Sequence, residues 1–275
     1  MRTLTNEAPK PVNRIRSAFQ KLQSQGKKAL IPYITPEFPL RGATVPLILE
    51  LEKAGATHIE VGIPFSDPIA DGETIQRSSH VAIQNGATLG GVLAAVKEAR
   101  RQTSLPIILM GYVNPILRYG MEKFLRDAAD CGVDGMIVPD LPPEEGKEWR
   151  ALSLSCAMSN IFLMAPTTPD ARIAYLDSIS TDFTYCVSVT GVTGARTAFG
   201  DPDAFEAFLG RVKKNTTKPF VVGFGISNKA QVASVCRFAD GVVVGSALLR
   251  NIEKETSVKS AAKSAAAFLS SLVDA

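Results

Sequence analysis

Residues 59–76 read IEVGIPFSDPIADGETIQ, and this stretch decides how the rest of the chain is interpreted. It opens with an apolar run typical of a buried strand, and Glu60 interrupts that run. A charge inside a strand is costly to bury unless it has a partner or a chemical task. A long loop rich in Gly and Pro follows and carries Asp71 before a helical pattern begins. In α/β enzymes, loops that follow strands commonly hold the reactive groups.

The composition limits the class of protein. The chain has 275 residues, 45% of them hydrophobic, and a formal net charge of +3. That length and apolar content suit one large α/β domain. No basic block indicates nucleic-acid binding, and no apolar stretch approaches the length of a membrane span. The four cysteines are widely spaced, which favours reduced core residues over a metal or disulfide site. The charged N-terminus lacks the apolar core of a secretory signal.

Short apolar segments alternate with helical patterns along the whole chain. Eight of them are predicted strands, the first at Ala29–Thr35 and the last at Gly241–Val244. Strands buried on both faces and joined by helices predict a parallel sheet. The count favours an α/β fold of the (β/α)8 or TIM-barrel type, with a doubly wound open sheet as the alternative. An extra N-terminal helix is predicted to cover the open end of the barrel. We expect residues 1–275 to form a single domain with residues 1–10 as a flexible tail.

Three local patterns carry further expectations about the elements. Residues 161–165 are predicted to form one continuous fifth strand. Pro143, which two glutamates follow, predicts the start of a helix. Ser227 is predicted to be the N-cap of the helix after the seventh strand.

The carboxyl ends of the last strands carry patterns typical of phosphate binding. Gly223 and Gly225 lie at the end of the seventh predicted strand, and Gly245 and Ser246 follow the eighth. Glycine lets a phosphate approach backbone N–H groups, and a helix N-terminus adds partial positive charge. Each pattern alone most often marks a tight turn, but both occur where TIM barrels hold phosphate. A Gly-rich loop after the sixth strand, which contains Gly194, is either a lid over substrate or an ordinary surface loop.

Several side chains near the predicted mouth of the barrel are candidates for chemistry. Glu60 is a candidate general acid or base if its strand faces the barrel interior. Asp71 precedes a glycine, and an Asp-Gly pair is often only a turn. Tyr185, in the sixth predicted strand, is either an assisting phenol or a core tyrosine. Tyr112, after the third strand, is equally ambiguous.

A family resemblance resolves these alternatives. The segment GIPFSDPIADGETIQ at 62–76 resembles the signature of the tryptophan synthase alpha chain family. Further matching blocks occur in the expected order over nearly the whole chain: LMGYVNP at 109–115, GVDGMIVPDLPPEE at 132–145, APTTP at 165–169, SVTGVTGAR at 188–196, GFGIS at 223–227 and GSALL at 245–249. The resemblance implies a TIM barrel and a lyase of tryptophan biosynthesis. Its reaction is the retro-aldol cleavage of indole-3-glycerol phosphate to indole and glyceraldehyde 3-phosphate.

The resemblance also implies a role for each candidate residue. Glu60 matches the family's catalytic glutamate, which acts as general acid and base. Asp71 matches the carboxylate that accepts a hydrogen bond from the indole N–H, and Tyr185 matches a tyrosine near the glycerol hydroxyls. The family's phosphate-binding positions fall on Gly194, Gly223, Gly225, Gly245 and Ser246, and its indole pocket falls on Tyr33, Leu163 and Phe224.

Partners follow from the same resemblance. It implies no cofactor or metal in this chain, and a beta chain that uses pyridoxal phosphate to join indole to serine. The two chains would form an α2β2 heterotetramer that passes indole through an internal tunnel, in the cytoplasm or in an organelle stroma. The alternatives are a stand-alone indole-3-glycerol-phosphate lyase, an inactive binding subunit and another barrel enzyme such as a phosphosugar isomerase. One departure is Glu37-Phe38-Pro39, where many members have Gly-Asp-Pro in a loop linked to subunit signalling.

Overall fold

The computed structural model describes residues 14–187, 202–223 and 225–273. Its strands are β1 (Ala29–Ile34), β2 (Ile59–Gly62), β3 (Ile107–Met110), β4 (Gly135–Ile137), β5 (Ser159–Ile161), β6 (Leu163–Met164), β7 (Thr184–Val187), β8 (Phe220–Gly223) and β9 (Gly241–Val244). The helices are α1 (Arg14–Ser24), α2 (Thr44–Lys53), α3 (Glu73–Gln84), α4 (Leu89–Ala99), α5 (Val113–Tyr119), α6 (Met121–Cys131), α7 (Lys147–Ser155), α8 (Asp170–Ile179), α9 (Pro202–Asn215), α10 (Lys229–Cys236), α11 (Ser246–Ile252) and α12 (Val258–Ser270). The tail predicted for residues 1–10 lies outside these ranges.

The strands form one parallel sheet in the order β5-β4-β3-β2-β1-β9-β8-β7-β6. The first and last strands of the chain are neighbours, with Ala29 paired to Gly241. This sequential order, in which the sheet returns on itself, is that of a nearly closed barrel and not of a doubly wound open sheet. The predicted TIM-barrel class is therefore confirmed. Strands buried on both faces account for the near-continuous apolar segments of the sequence.

The prediction of one continuous fifth strand over residues 161–165 is wrong. The chain changes partner at Phe162, so that β5 pairs with β4 and β6 pairs with β7. The Phe162 carbonyl still accepts the N–H of Tyr185 at 3.2 Å, whereas its own N–H donates to the side chain of Ser180 at 3.4 Å. The described sheet therefore has nine strands, because one apolar segment serves two neighbours at the seam of the barrel.

Two predicted helix starts are also corrected. The segment that begins at Pro143 forms a turn, and the helix begins at Lys147. Asn228, rather than Ser227, caps α10, because its side chain accepts the N–H of Gln231 at 3.0 Å. The Ser227 hydroxyl donates instead to the Gln231 side chain at 3.0 Å. The short helix α5 was not predicted at all.

Helix α1 covers the amino-terminal end of the barrel, as predicted. Phe19 is buried, and its ring lies 4.6 Å from that of His58 and 5.3 Å from that of Phe183. These two partners immediately precede β2 and β7. The amino-terminal end is thereby filled by side chains, which leaves the carboxyl ends of the strands as the open face.

Candidate active site

A cavity opens at the carboxyl ends of the strands and encloses about 510 Å³ of empty space, part of it open to solvent. The described residues that line it come from five strands, from the loops after β2, β8 and β9, and from helices α3 and α11: Tyr33, Glu60, Asp71, Ile75, Met110, Tyr185, Gly225, Ile226, Val243, Gly245, Ser246, Ala247 and Arg250. The fold thus brings together seven of the predicted site residues.

Glu60 is the buried charge of the cavity. It is fully inaccessible to solvent and lies in register with Tyr33 on one side and Ile108 on the other. Neither carboxyl oxygen has a hydrogen-bond partner among the described residues. Burial raises the pKa of Glu60 from 4.5 to about 8. The carboxyl group therefore carries a proton at neutral pH.

Asp71 is held by a tyrosine that the sequence left ambiguous. The Tyr112 hydroxyl donates to Asp71 Oδ2 at 2.9 Å and accepts the N–H of Ala70 at 3.0 Å. Burial raises the pKa of Asp71 to about 6, and the hydrogen bond from Tyr112 opposes that rise. Asp71 is thus ionised at neutral pH beside a protonated Glu60. The position of Tyr112, directly after β3, was the signal that could have assigned it to this site.

Two tyrosines cross the barrel interior beside Glu60. Tyr33 and Tyr185 are both buried, and burial raises the pKa of each well above its ordinary value. They therefore remain neutral phenols that can donate a hydrogen bond. A Cβ atom at Gly62 would collide with the Tyr33 hydroxyl, and one at Gly223 would collide with the Tyr185 hydroxyl. Glycine at these strand ends is what lets the two rings reach the cavity.

Three of the residues predicted to bind phosphate line the same cavity. Gly225, Gly245 and Ser246 line the cavity, whereas Gly223 does not. Gly225 has a φ of 81°, a conformation that favours glycine. The predicted phosphate contact of Gly223 stays a prediction, and Gly194 lies outside the described residues.

Of the three residues predicted to wall an indole pocket, one lines this cavity. Tyr33 lines the cavity together with apolar side chains that the sequence did not single out: Ile75, Met110, Ile226 and Val243. Leu163 is paired with Tyr185 across the β6–β7 ladder but lines a neighbouring cavity beside α8. Its predicted place in the indole pocket stays a prediction, and Phe224 lies outside the described residues.

The described parts of the chain hold no group of three or more His, Cys, Asp or Glu side chains arranged to bind a metal ion. The four cysteines are free thiols. Within the same ranges, no helix has both the length and the apolarity that a bilayer crossing requires.

Comparison with known proteins is consistent with this geometry. A family model described as "Tryptophan synthase alpha chain" matches residues 19–274. The chain is 47% identical to the tryptophan synthase alpha chain of Chlorobium chlorochromatii over 264 residues, covering 94% of this chain and 99% of that protein. It is 49% identical to the corresponding protein of Geotalea daltonii over 243 residues, covering 88% and 91%.

Solved structures show the same likeness. The alpha subunit of tryptophan synthase from Legionella pneumophila superposes with a TM-score of 0.87 at 37% identity, covering 94% of this chain and 97% of that one. A chain of the tryptophan synthase complex from Pyrococcus furiosus gives a TM-score of 0.80 at 39% identity, covering 89% and 97%.

Proposed function

Because this chain belongs to the tryptophan synthase alpha chain family, we propose that Glu60, Asp71 and Tyr185 carry out its reaction in the cavity described above. As an alpha chain, the protein cleaves indole-3-glycerol phosphate to indole and glyceraldehyde 3-phosphate. The observation that carries the residue assignment is the Glu60 carboxyl group. It is fully buried and lacks a hydrogen-bond partner among the described residues, and it lines the cavity at the carboxyl ends of the strands.

The reaction needs two proton movements at neighbouring atoms. The carbon–carbon bond breaks when the indole ring carbon that bears the glycerol chain is protonated and the adjacent hydroxyl loses its proton. A protonated Glu60 donates to the ring carbon, and the carboxylate that results accepts the hydroxyl proton as the bond breaks. Glu60 therefore ends each turnover protonated, as it began. The raised pKa of Glu60 supports this order of steps.

Asp71 stabilises the positive charge that this protonation creates on the ring. A ring protonated at carbon is cationic, and its N–H becomes a stronger hydrogen-bond donor. An ionised Asp71 accepts that bond and stabilises the cation. The hydrogen bond from Tyr112 keeps one carboxylate oxygen fixed and leaves the other for the substrate. Tyr185, a neutral phenol beside Glu60, donates to a glycerol hydroxyl.

The two ends of the substrate are held by different chemistry. Backbone N–H groups of Gly225, Gly245 and Ser246, with the Ser246 hydroxyl, are proposed to bind the phosphate. The wall formed by Tyr33 and its apolar neighbours accommodates the indole ring. Gly194, Gly223, Leu163 and Phe224 complete the proposed substrate contacts on the basis of the resemblance.

The family implies a beta-chain partner, and the similar structures include a tryptophan synthase complex from Pyrococcus furiosus. We propose an α2β2 assembly in which the beta chain carries pyridoxal phosphate and receives indole through a tunnel. This chain itself would need no cofactor. The bacterial relatives support a cytoplasmic location. Membership in the family favours a subunit over a stand-alone lyase, and the presence of both carboxylates argues against an inactive binding subunit.

Indole release by the purified chain tests this assignment. We expect Glu60→Gln to abolish turnover, because the amide can neither donate nor accept the transferred proton. Asp71→Ala should lower turnover by at least ~100-fold, since one electrostatic stabiliser of the transition state is lost. Each variant is assayed with and without a beta chain, and Glu148→Gln, on the exposed face of α7, is the matched control. Full activity in Glu60→Gln would remove this residue from the mechanism.

A further inference from the structure

We propose that the positive charge of Arg250 binds the phosphate group of the substrate. Tight binding would then require a phosphorylated substrate. Arg250 is the one cation among the described residues that line the cavity. This inference rests on the proposed function, because it concerns the ligand of the same site.

The position of Arg250 places it at the phosphate end. It lies four residues after Ser246 on α11, so both side chains project from the same side of the helix. Gly245 and Ser246 line the same cavity, which makes Arg250 part of the wall that the phosphate faces. Its side chain is exposed at the opening. An exposed cation at the opening of a cavity attracts an anion and raises its rate of association.

Among the described residues Arg250 has no ion-pair partner, although its charge also acts on Glu253, which is hydrogen-bonded to Arg77. The only described hydrogen bond of Arg250 is from Nη1 to the Thr74 hydroxyl at 3.2 Å, and no described carboxylate forms an ion pair with it. Arg77, across the same α3–α11 contact, differs because its Nε and Nη2 both donate to the Glu253 carboxylate. Glu253 is therefore bound by Arg77. Most of the N–H donors of Arg250 remain available for a ligand.

The charge balance of the cavity explains why a cation is needed. Its other described ionisable groups are Glu60, Asp71 and two tyrosines, none of which is positive. A phosphate monoester brings a charge of about −1.5 to −2 at pH 7. Without a cation, an ionised Asp71 would repel this ligand. An arginine matches a phosphate with two parallel donors, and such charge-assisted bonds are stronger than neutral ones.

The test separates phosphate recognition from a structural role. For Arg250→Gln we expect KM for indole-3-glycerol phosphate to rise about 10- to 100-fold, the effect of losing one charged hydrogen bond. We expect kcat to change little, because the phosphate is remote from the bond that breaks. Arg250→Lys should restore part of the affinity, since it keeps the charge and loses the two-pronged geometry. The inhibition constant of inorganic phosphate should rise in parallel, whereas that of the dephosphorylated alcohol, indole-3-glycerol, should not change.

Two control variants make the result decisive. Thr74→Val removes the hydrogen bond between α3 and α11 and keeps the cation, so it should leave KM unchanged. Lys254→Gln removes the same charge from an exposed position outside the cavity and should also leave KM unchanged. The inference is overturned if Arg250→Gln keeps the wild-type KM, or if Thr74→Val or Lys254→Gln reproduces its effect. A wild-type chain that neither cleaves nor binds indole-3-glycerol phosphate would instead contradict the proposed function.

Discussion

Glu60 and Asp71 are two carboxyl groups in one cavity, and their surroundings push them toward opposite protonation states at neutral pH. Glu60 has only burial acting on it, which raises its pKa to about 8. Asp71 is also raised by burial, but the Tyr112 hydroxyl stabilises its anion and its pKa rises only to about 6. One group is therefore a proton donor and the other an acceptor of hydrogen bonds. Pairs of titratable groups separated in this way define an acid and an electrostatic stabiliser.

This separation predicts the pH dependence of the reaction. If protonated Glu60 and ionised Asp71 are both required, kcat/KM is greatest between about pH 6 and 8 and falls about tenfold per pH unit above pH 8. The alkaline side is the informative one, because the second pKa of the substrate phosphate, about 6, overlaps with that of Asp71. Steady-state indole release between pH 6 and 10 measures the alkaline decline of kcat/KM.

The Asp71→Asn variant is the control for that profile. It should be much slower but should keep the same alkaline decline, because Glu60 is unchanged. A rate that increases through pH 8 would show that the carboxylate is the reactive form of Glu60, which would reverse the proposed order of the two proton transfers.

At the scale of the elements, the ends of β2 and β8 are shaped by the rings that cross the barrel. Gly62 and Gly223 each occupy a point where any side chain would collide with the hydroxyl of Tyr33 or Tyr185. Gly223 lies in the last position of β8, paired with Val187, with Tyr185 two residues earlier on the neighbouring strand. Glycine at each strand end therefore leaves the space that a tyrosine ring occupies.

Gly223→Ala is expected to displace the Tyr185 ring from its place beside Glu60. Overpacking of this kind costs about 1–3 kcal/mol of stability. Turnover should fall at least ~10-fold, because a misplaced group at a site loses its contribution to orientation. Indole release and the thermal midpoint of unfolding measure the two effects.

Gly210→Ala is the matched control for that substitution. Gly210 lies inside α9, and a Cβ atom there meets nothing within 4 Å. Replacing glycine by alanine in a helix stabilises it by about 0.5–1 kcal/mol, and activity should be unchanged. If Gly223→Ala behaves like Gly210→Ala, the clearance for Tyr185 is not functionally important.

The elements also show which features of this fold can be predicted from the sequence. Apolar periodicity indicated the strands and helices well, because each parallel strand is buried on both faces. It missed the change of partner at Phe162, since hydrogen-bond pairing leaves no trace in hydrophobicity. The capping residue of α10 depended on side-chain geometry that neighbouring polar residues could equally supply. The turn at Pro143 is closed by backbone hydrogen bonds from Glu145 and Gly146 to the Pro142 carbonyl, which the residue pattern does not reveal.

The site was predictable to a different extent. Glu60 stood out because a charge is unusual in a buried strand, and Asp71 was singled out by the family signature that contains it. Tyr112 and Arg250 did not stand out, because a tyrosine after a strand and an arginine on a short helix are common. Only the packing of separate elements brings Tyr112 to Asp71 and Arg250 to the cavity.

At the scale of the whole molecule, the buried Glu60 carboxyl group that the proposed reaction uses also lowers the stability of the folded chain at neutral and alkaline pH. A fully buried carboxyl group without a partner among the described residues resists ionisation in the folded chain, whereas in the unfolded chain it ionises near its ordinary pKa of 4.5. The folded pKa is the higher one, so the unfolded chain releases its proton first as pH rises. The contribution of Glu60 to the free energy of unfolding is therefore greatest below pH 4.5. This contribution is lost progressively as pH rises to about 8.

Glu60→Gln should remove this penalty at the cost of activity. Gln cannot ionise, so the difference in unfolding free energy between the variant and the wild type should grow by about 4 kcal/mol from pH 5 to pH 9. Urea denaturation of both proteins at the two pH values measures the difference. Because every other titratable group is shared by the two proteins, its contribution cancels. The exposed Glu148→Gln substitution, which also replaces a carboxyl group by an amide, serves as the control. A difference for Glu60→Gln that stays constant from pH 5 to pH 9 would mean that Glu60 ionises in the folded chain as it does in water. The cavity would then lack the desolvation on which the proposed acid depends.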